Sequence, residues 1–173
     1  MDRPILLITM GDVAGIGPEI VARSWPELLT VCRPVVVGDP GWLRWALRLV
    51  GSSAEVQEVG QVADATPSVR TVPCLRGGTQ DLRDVTIGRV DAAAGRAAYD
   101  FLCAAIDLTL AGAAAALVTA PLHKEGLRAA GLPYPGHTEI LAERTGAKHF
   151  AMMLYGSGIG VAVLDSGVVA GDP

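Results

Sequence analysis

The stretch Ile5-Leu6-Leu7-Ile8-Thr9-Met10-Gly11-Asp12-Val13-Ala14-Gly15-Ile16-Gly17-Pro18-Glu19 decides the fold. Ile5 to Thr9 is a short, continuous apolar run, the pattern of a strand buried on both faces. Three glycines follow, then Pro18, which suits a first helical turn, and Glu19, whose charge complements a helix N-terminus. This helix is expected to reach about Trp25. Pro34 to Gly38 repeats the strand signal, and Asp39-Pro40 opens a second helix from Gly41 to about Val50. A β-α-β-α opening implies a parallel sheet with covering helices, so the fold class is α/β.

The signal weakens from Gly51 to Arg89, where Ala54 to Val59 and Val69 to Leu75 read as strands and Arg76-Gly77-Gly78 as a turn. Ala97, Ala98, Phe101, Leu102, Ala105, Ile106 and Leu110 then recur at helical spacing, predicting a helix from about Ala93 to Ala111 that Gly112 ends. Ala115 to Thr119 reads as a buried strand and Leu122 to Ala130 as a short helix. Thr138 is the expected N-cap of a helix running to about Arg144 and stopped by Gly146. His149 to Tyr155 and Ile159 to Leu164 read as an antiparallel pair around Gly156-Ser157-Gly158.

Composition narrows the function classes. The 173 residues are 50% hydrophobic and 18% charged, with a formal net charge of −4. That excludes an intrinsically disordered chain, and the acidic surplus argues against a nucleic-acid binder. Phe101 to Leu122 carries only Asp107 as a formal charge and is long enough to cross a bilayer, but Gly112 and Pro121 divide it into helix and strand. No membrane partner is expected. Cys32, Cys74 and Cys103 are odd in number and far apart, which predicts buried thiols, no disulfide framework and a cytoplasmic location.

Three segments could carry chemistry, each where a strand gives way to a loop or helix. The first is the glycine loop, Gly11 to Glu19. It fits neither G-x-G-x-x-G nor the P-loop pattern, and reads equally as a tight turn or as a loop that lets backbone N–H groups approach a ligand. The second is Val118-Thr119-Ala120-Pro121-Leu122-His123-Lys124-Glu125, where Lys124 could meet a phosphate or carboxylate; a solvated helix face is the plainer alternative. The third is Tyr134-Pro135-Gly136-His137-Thr138-Glu139, which holds a histidine on a Pro-Gly loop beside a helix start, suited to hydrogen bonding or proton transfer; a solvated loop histidine is the plainer alternative.

Together these segments resemble the 4-hydroxythreonine-4-phosphate dehydrogenase family. The resemblance rests on Ile8 to Glu19, Gly95-Arg96-Ala97-Ala98-Tyr99, Val118 to Glu125, Tyr134 to Glu143 and Met152-Met153-Leu154, in that order. It implies relatives of the isocitrate and isopropylmalate dehydrogenases, two-domain α/β homodimers with the active site in the interdomain cleft. Here it implies the N-terminal part of that architecture, with a first domain over 1–112 and the start of a second over 113–173. The activity implied is oxidation and decarboxylation of a 4-phosphorylated hydroxy acid (4-phospho-hydroxythreonine, or 4-phospho-threonate or erythronate) with NAD and a divalent metal such as Zn, Mg, Mn or Co. The metal would polarise the new ketone as a Lewis acid.

Carried over position by position, the family's substrate-binding pair falls on His137 and Thr138, with Lys124 a further candidate. Gly11, Asp12 and Gly15 are the candidate cofactor-side residues. Val13 stands where the family usually has Pro, and His123 where it usually has Asn. Gly167 stands where a metal-binding His is usual, with Asp165 two positions away, so no metal ligand is assigned within this sequence. Members run to roughly twice this length. The alternative expectation is therefore a truncated, non-catalytic homologue serving as a binding or dimerisation module, or a disrupted reading frame.

Overall fold

A computed structural model describes residues 3–156 and the backbone of 159–163. Five parallel strands form the main sheet: β1 (Ile5–Thr9), β2 (Arg33–Gly38), β3 (Glu55–Val59), β4 (Thr71–Arg76) and β5 (Ala116–Thr119), in the order β3-β4-β2-β1-β5. Leu7, Val35, Val36 and Val37 are buried on these central strands, as their uninterrupted apolar runs require. β1 pairs with β2 from Ile5↔Arg33 to Thr9↔Val37 and with β5 from Leu6↔Ala116 to Thr9↔Thr119.

The chain moves outward from β1 to β2 and beyond, then returns across the sheet to add β5 on the other side of β1. Right-handed crossovers in opposite directions put their helices on opposite faces. α1 (Gly17–Val31) and α2 (Pro40–Leu49) pack together, whereas α3 (Ala92–Leu110) packs separately against β1, β2 and β5. The ends of β1 and β5 therefore form a topological switch point, where open parallel sheets place their ligands.

α4 (Lys124–Ala129) and α5 (His137–Thr145) both lie on α3. Leu102, Ile106, Leu127 and Ile140 form a second apolar cluster there, flanked by Tyr99 and Tyr134, whose rings stack at 5.4 Å. The Gly95-Arg96-Ala97-Ala98-Tyr99 motif thus serves packing. Gly95 brings the α3 backbone against Gly126 of α4, and Tyr99 supplies one half of the stack. β6 (Met152–Gly156) and β7 (Ile159–Val163) form the expected antiparallel hairpin.

Several expectations change. α1 continues past Trp25 and through Pro26 to Val31, because Leu28 and Leu29 beyond the proline still reach the core. β5 is not a fully buried strand: it is an edge, with Val118 45% exposed. His149 lies in a bend before β6, not in it. Cys32 and Cys74 are buried and Cys103 half-buried, none of them in a disulfide. Among the described residues no helix is long and apolar enough to cross a membrane.

Candidate functional site

The site grows from the end of β1. Gly11 has φ +67° and lies against the Ala120 and Pro121 carbonyls that follow β5. A left-handed backbone with no room for a side chain explains the glycine. The Asp12 amide donates to the Pro121 carbonyl (2.9 Å), stitching the two strand ends together. Asp12 Oδ1 accepts the Ala14 amide (2.8 Å) and its carbonyl accepts the Gly15 amide (3.1 Å), which closes the loop on itself. The Gly88 amide, from the segment between β4 and α3, donates to the Ala14 carbonyl (2.7 Å).

Gly11 and Asp12 are buried by this arrangement, with Asp12 only 4% exposed; Gly15 faces solvent. Burial pushes the Asp12 carboxyl above its usual range, the Ala14 amide and the nearby His123 pull it down, and Asp91 pushes it up. A carboxyl whose folded pKa is raised favours folding below its unfolded value near 3.8 and loses that advantage as pH rises through the folded value. Asp12→Asn keeps an oxygen for the Ala14 amide and carries no charge. Its melting temperature relative to the parent should therefore rise as pH is raised above about 4 and level off once the Asp12 carboxyl is ionised in the folded parent. A difference independent of pH would mean that burial does not dominate this carboxyl. Asp12→Ala, which also removes the acceptor, should lose about 1 kcal/mol relative to the Asn variant.

α4 starts one residue after His123, whose Nδ1 accepts the Gly126 amide (3.2 Å) and caps the helix. Asp91 likewise caps α3, its Oδ1 accepting the Ala94 amide (3.0 Å). Asp91 and His123 thus both lie near enough to Asp12 to act on its charge. Asp91 is absent from the candidates above, yet an Asp just before an Ala run is itself an N-cap signal.

α5 opens with His137. Its N-cap is Gly136, in an extended conformation with no side-chain cap, and not Thr138, which lies inside the first turn. His137 is half-buried and Thr138 exposed. Burial lowers the His137 pKa below its usual value of 6.5, opposed by a hydrogen bond to the Ala120 carbonyl. The ring is accordingly neutral at pH 7. With one nitrogen turned to a carbonyl, the other is left to accept a hydroxyl proton from a ligand. Lys124, exposed on the first turn of α4, places its Cε about 4.0 Å from where a Cβ on Gly136 would stand.

The structure therefore brings His137, Thr138 and Lys124 to one edge, beside the carbonyls that lock Gly11 in place. Among the described residues no group of three His, Cys, Asp or Glu side chains could hold a metal ion. Asp165 and Gly167 lie outside the described residues.

Comparison with known proteins agrees with the sequence motifs. The family described as pyridoxal phosphate biosynthetic protein PdxA matches residues 30–167. The 4-hydroxythreonine-4-phosphate dehydrogenase of Beijerinckia indica is 42% identical over 154 residues, covering 89% of this chain and 45% of that protein. The D-threonate 4-phosphate dehydrogenase of Cupriavidus necator is 39% identical over 153 residues, covering 87% of this chain and 46% of its own. The crystal structure of a 4-hydroxythreonine-4-phosphate dehydrogenase from Burkholderia phymatum superposes with a TM-score of 0.87 at 37% identity, over 94% of this chain and 49% of that one. The chain spans about half the length of these relatives. A family match over most of the sequence, joined to the same fold in a solved relative, places the chain in the pyridoxal phosphate biosynthetic protein PdxA family.

Proposed function

We propose that this chain forms the substrate-binding part of a dehydrogenase that oxidises a 4-phosphorylated hydroxy acid, 4-phospho-hydroxythreonine or 4-phospho-threonate, with NAD and with decarboxylation. The observation that carries this reading is His137 and Thr138 in the first turn of α5, whose N-terminus has no side-chain cap, at the switch point of a parallel sheet. First-turn N–H groups and the Thr138 hydroxyl can bind oxyanions there, while the neutral His137 ring accepts a hydroxyl proton. Lys124 adds a compact positive charge on the same side.

NAD, when bound, supplies the hydride acceptor. Gly15 is the candidate here that is open to meet it, exposed just before the uncapped N-terminus of α1. The residues described do not make a metal centre, so no step of this reading runs through a metal. A homodimer, a cytoplasmic location and a second domain opening beyond residue 112 belong to the same proposal. The exposed Met152, Met153, Leu154 and Tyr155 of β6 offer surface that a second subunit could cover.

Isothermal titration with 4-phospho-hydroxythreonine and 4-phospho-threonate tests the site directly. Removing one hydrogen bond to a charged or hydroxyl ligand lowers affinity about 10- to 100-fold. His137→Ala should therefore bind at least tenfold more weakly than the parent chain. Equal heats from the two proteins would end this assignment of the ligand site.

A further inference from the structure

A second concavity lies at the same carboxyl edge of the sheet but over β2 and β4, and shares no residue with the His137 site. This open concavity of about 410 Å³ lies between the start of α2 and the segment after β4, and Trp42, Trp45 and Leu82 supply the apolar part of its lining. That volume is in the range of small-molecule sites, roughly 300–1,000 Å³. The two indoles meet edge to face, with centroids 5.3 Å apart, and the Trp42 indole N–H donates to the Leu82 carbonyl (3.3 Å). This bond ties the segment after β4 to α2 and fixes one ring. Trp45, half-buried, adds a second indole to the lining.

The charges around the rim are already paired. Asp39 binds Arg76 at 2.9 Å while its other oxygen caps α2 at Trp42, and Asp81 holds Arg83 through two oxygens. An ionic ligand would meet charges that already have partners, whereas an uncharged flat ring leaves these pairs intact and gains stacking area on indole. We infer that this cavity binds a planar, uncharged heteroaromatic ring of the purine type, stacked on Trp45 and rimmed by the Asp39–Arg76 and Asp81–Arg83 pairs. Two sources share that chemistry: a free nucleoside, or the base end of a dinucleotide.

Tryptophan emission reads the site in the full chain, because Trp42 and Trp45 line it while Trp25 is buried in the core. The parent, Trp45→Phe and Trp45→Leu are titrated with adenosine, NAD and inorganic phosphate, with circular dichroism to check that each is folded. Adenosine should quench emission saturably in the parent, and phosphate should not. Loss of one stacking partner weakens binding about tenfold, so Trp45→Leu should bind adenosine about tenfold more weakly and Trp45→Phe within about threefold of the parent. NAD binding tenfold tighter than adenosine assigns the base end of a dinucleotide; equal affinities assign a free nucleoside, and either result supports the site. Absence of saturable quenching by adenosine, an equal affinity in Trp45→Leu, or the same change with phosphate alone overturns the inference.

Discussion

Gly95→Ala should lower the unfolding free energy by about 3 kcal/mol or more, a fall of roughly 6–12 °C in melting temperature for a chain of this size. Gly95 lies in the first turn of α3 at the point where α4 crosses it. A methyl group there would overlap the Gly126 carbonyl and stand 2.9 Å from the Gly126 Cα. Both neighbours are backbone, so no side chain can swing aside; α4 as a whole must move away. Leu127 is fully buried against Leu102 and Ile106 in the cluster that also holds Ile140 of α5, so displacing α4 opens that cluster too. The loss should concentrate in this layer. Hydrogen exchange should quicken in α4 and α5 before it quickens in β1 and β2. An unchanged melting temperature would show that the α3–α4 contact is not under this constraint.

Gly11→Ala should be comparably damaging, by about 3 kcal/mol, and should also disorganise the candidate site. Two effects add. An alanine at φ +67° is strained by about 1 kcal/mol or more, and its methyl would overlap the Pro121 carbonyl and stand 2.8 Å from the Ala120 carbonyl. Ala120 is the residue whose carbonyl meets the His137 ring. Pushing it away separates the glycine loop from β5 and removes a hydrogen-bond partner of His137. The variant should therefore lose both stability and affinity for the phosphorylated hydroxy acids, whereas Gly95→Ala should lose stability first. Chemical denaturation alongside the titration separates the two effects. Retention of full affinity in a folded Gly11→Ala protein would uncouple the loop from the ligand site.

The elements read best from sequence were those whose burial follows from their own residues. The apolar runs at Ile5–Thr9 and Pro34–Gly38 and the helical stripe from Ala97 to Leu110 each become core, with Leu7, Val36 and Phe101 almost fully buried. α1 runs beyond the expected end near Trp25 to Val31, because the packing of Leu28 and Leu29 that carries it past Pro26 is not visible in sequence. Ala115 to Thr119 is as apolar as β2, yet its exposure depends on which strand lies beyond it, information that its own residues do not carry. At the site, Thr138 has the chemistry of an N-cap, but the backbone at Gly136 decides where α5 starts. His123 acts as a helix cap in a position that sequence presents only as a charged octet, and the burial of Asp12 arises from three separate segments meeting over it.

The placement of β1 between β2 and β5 also bears on how the protein is made. Leu6 pairs with Ala116, so roughly 110 residues must leave the ribosome after β1 before its second partner exists. At about 5–20 residues per second that interval lasts between about 5 and 20 seconds. Throughout it the edge of Ile5-Leu6-Leu7-Ile8 that β5 will cover has no mate, and an unpaired apolar strand of this kind invites pairing with other nascent chains. Synthesis rate, and whatever shields that edge in the meantime, should therefore govern the yield of native protein more strongly than the final stability of the sheet.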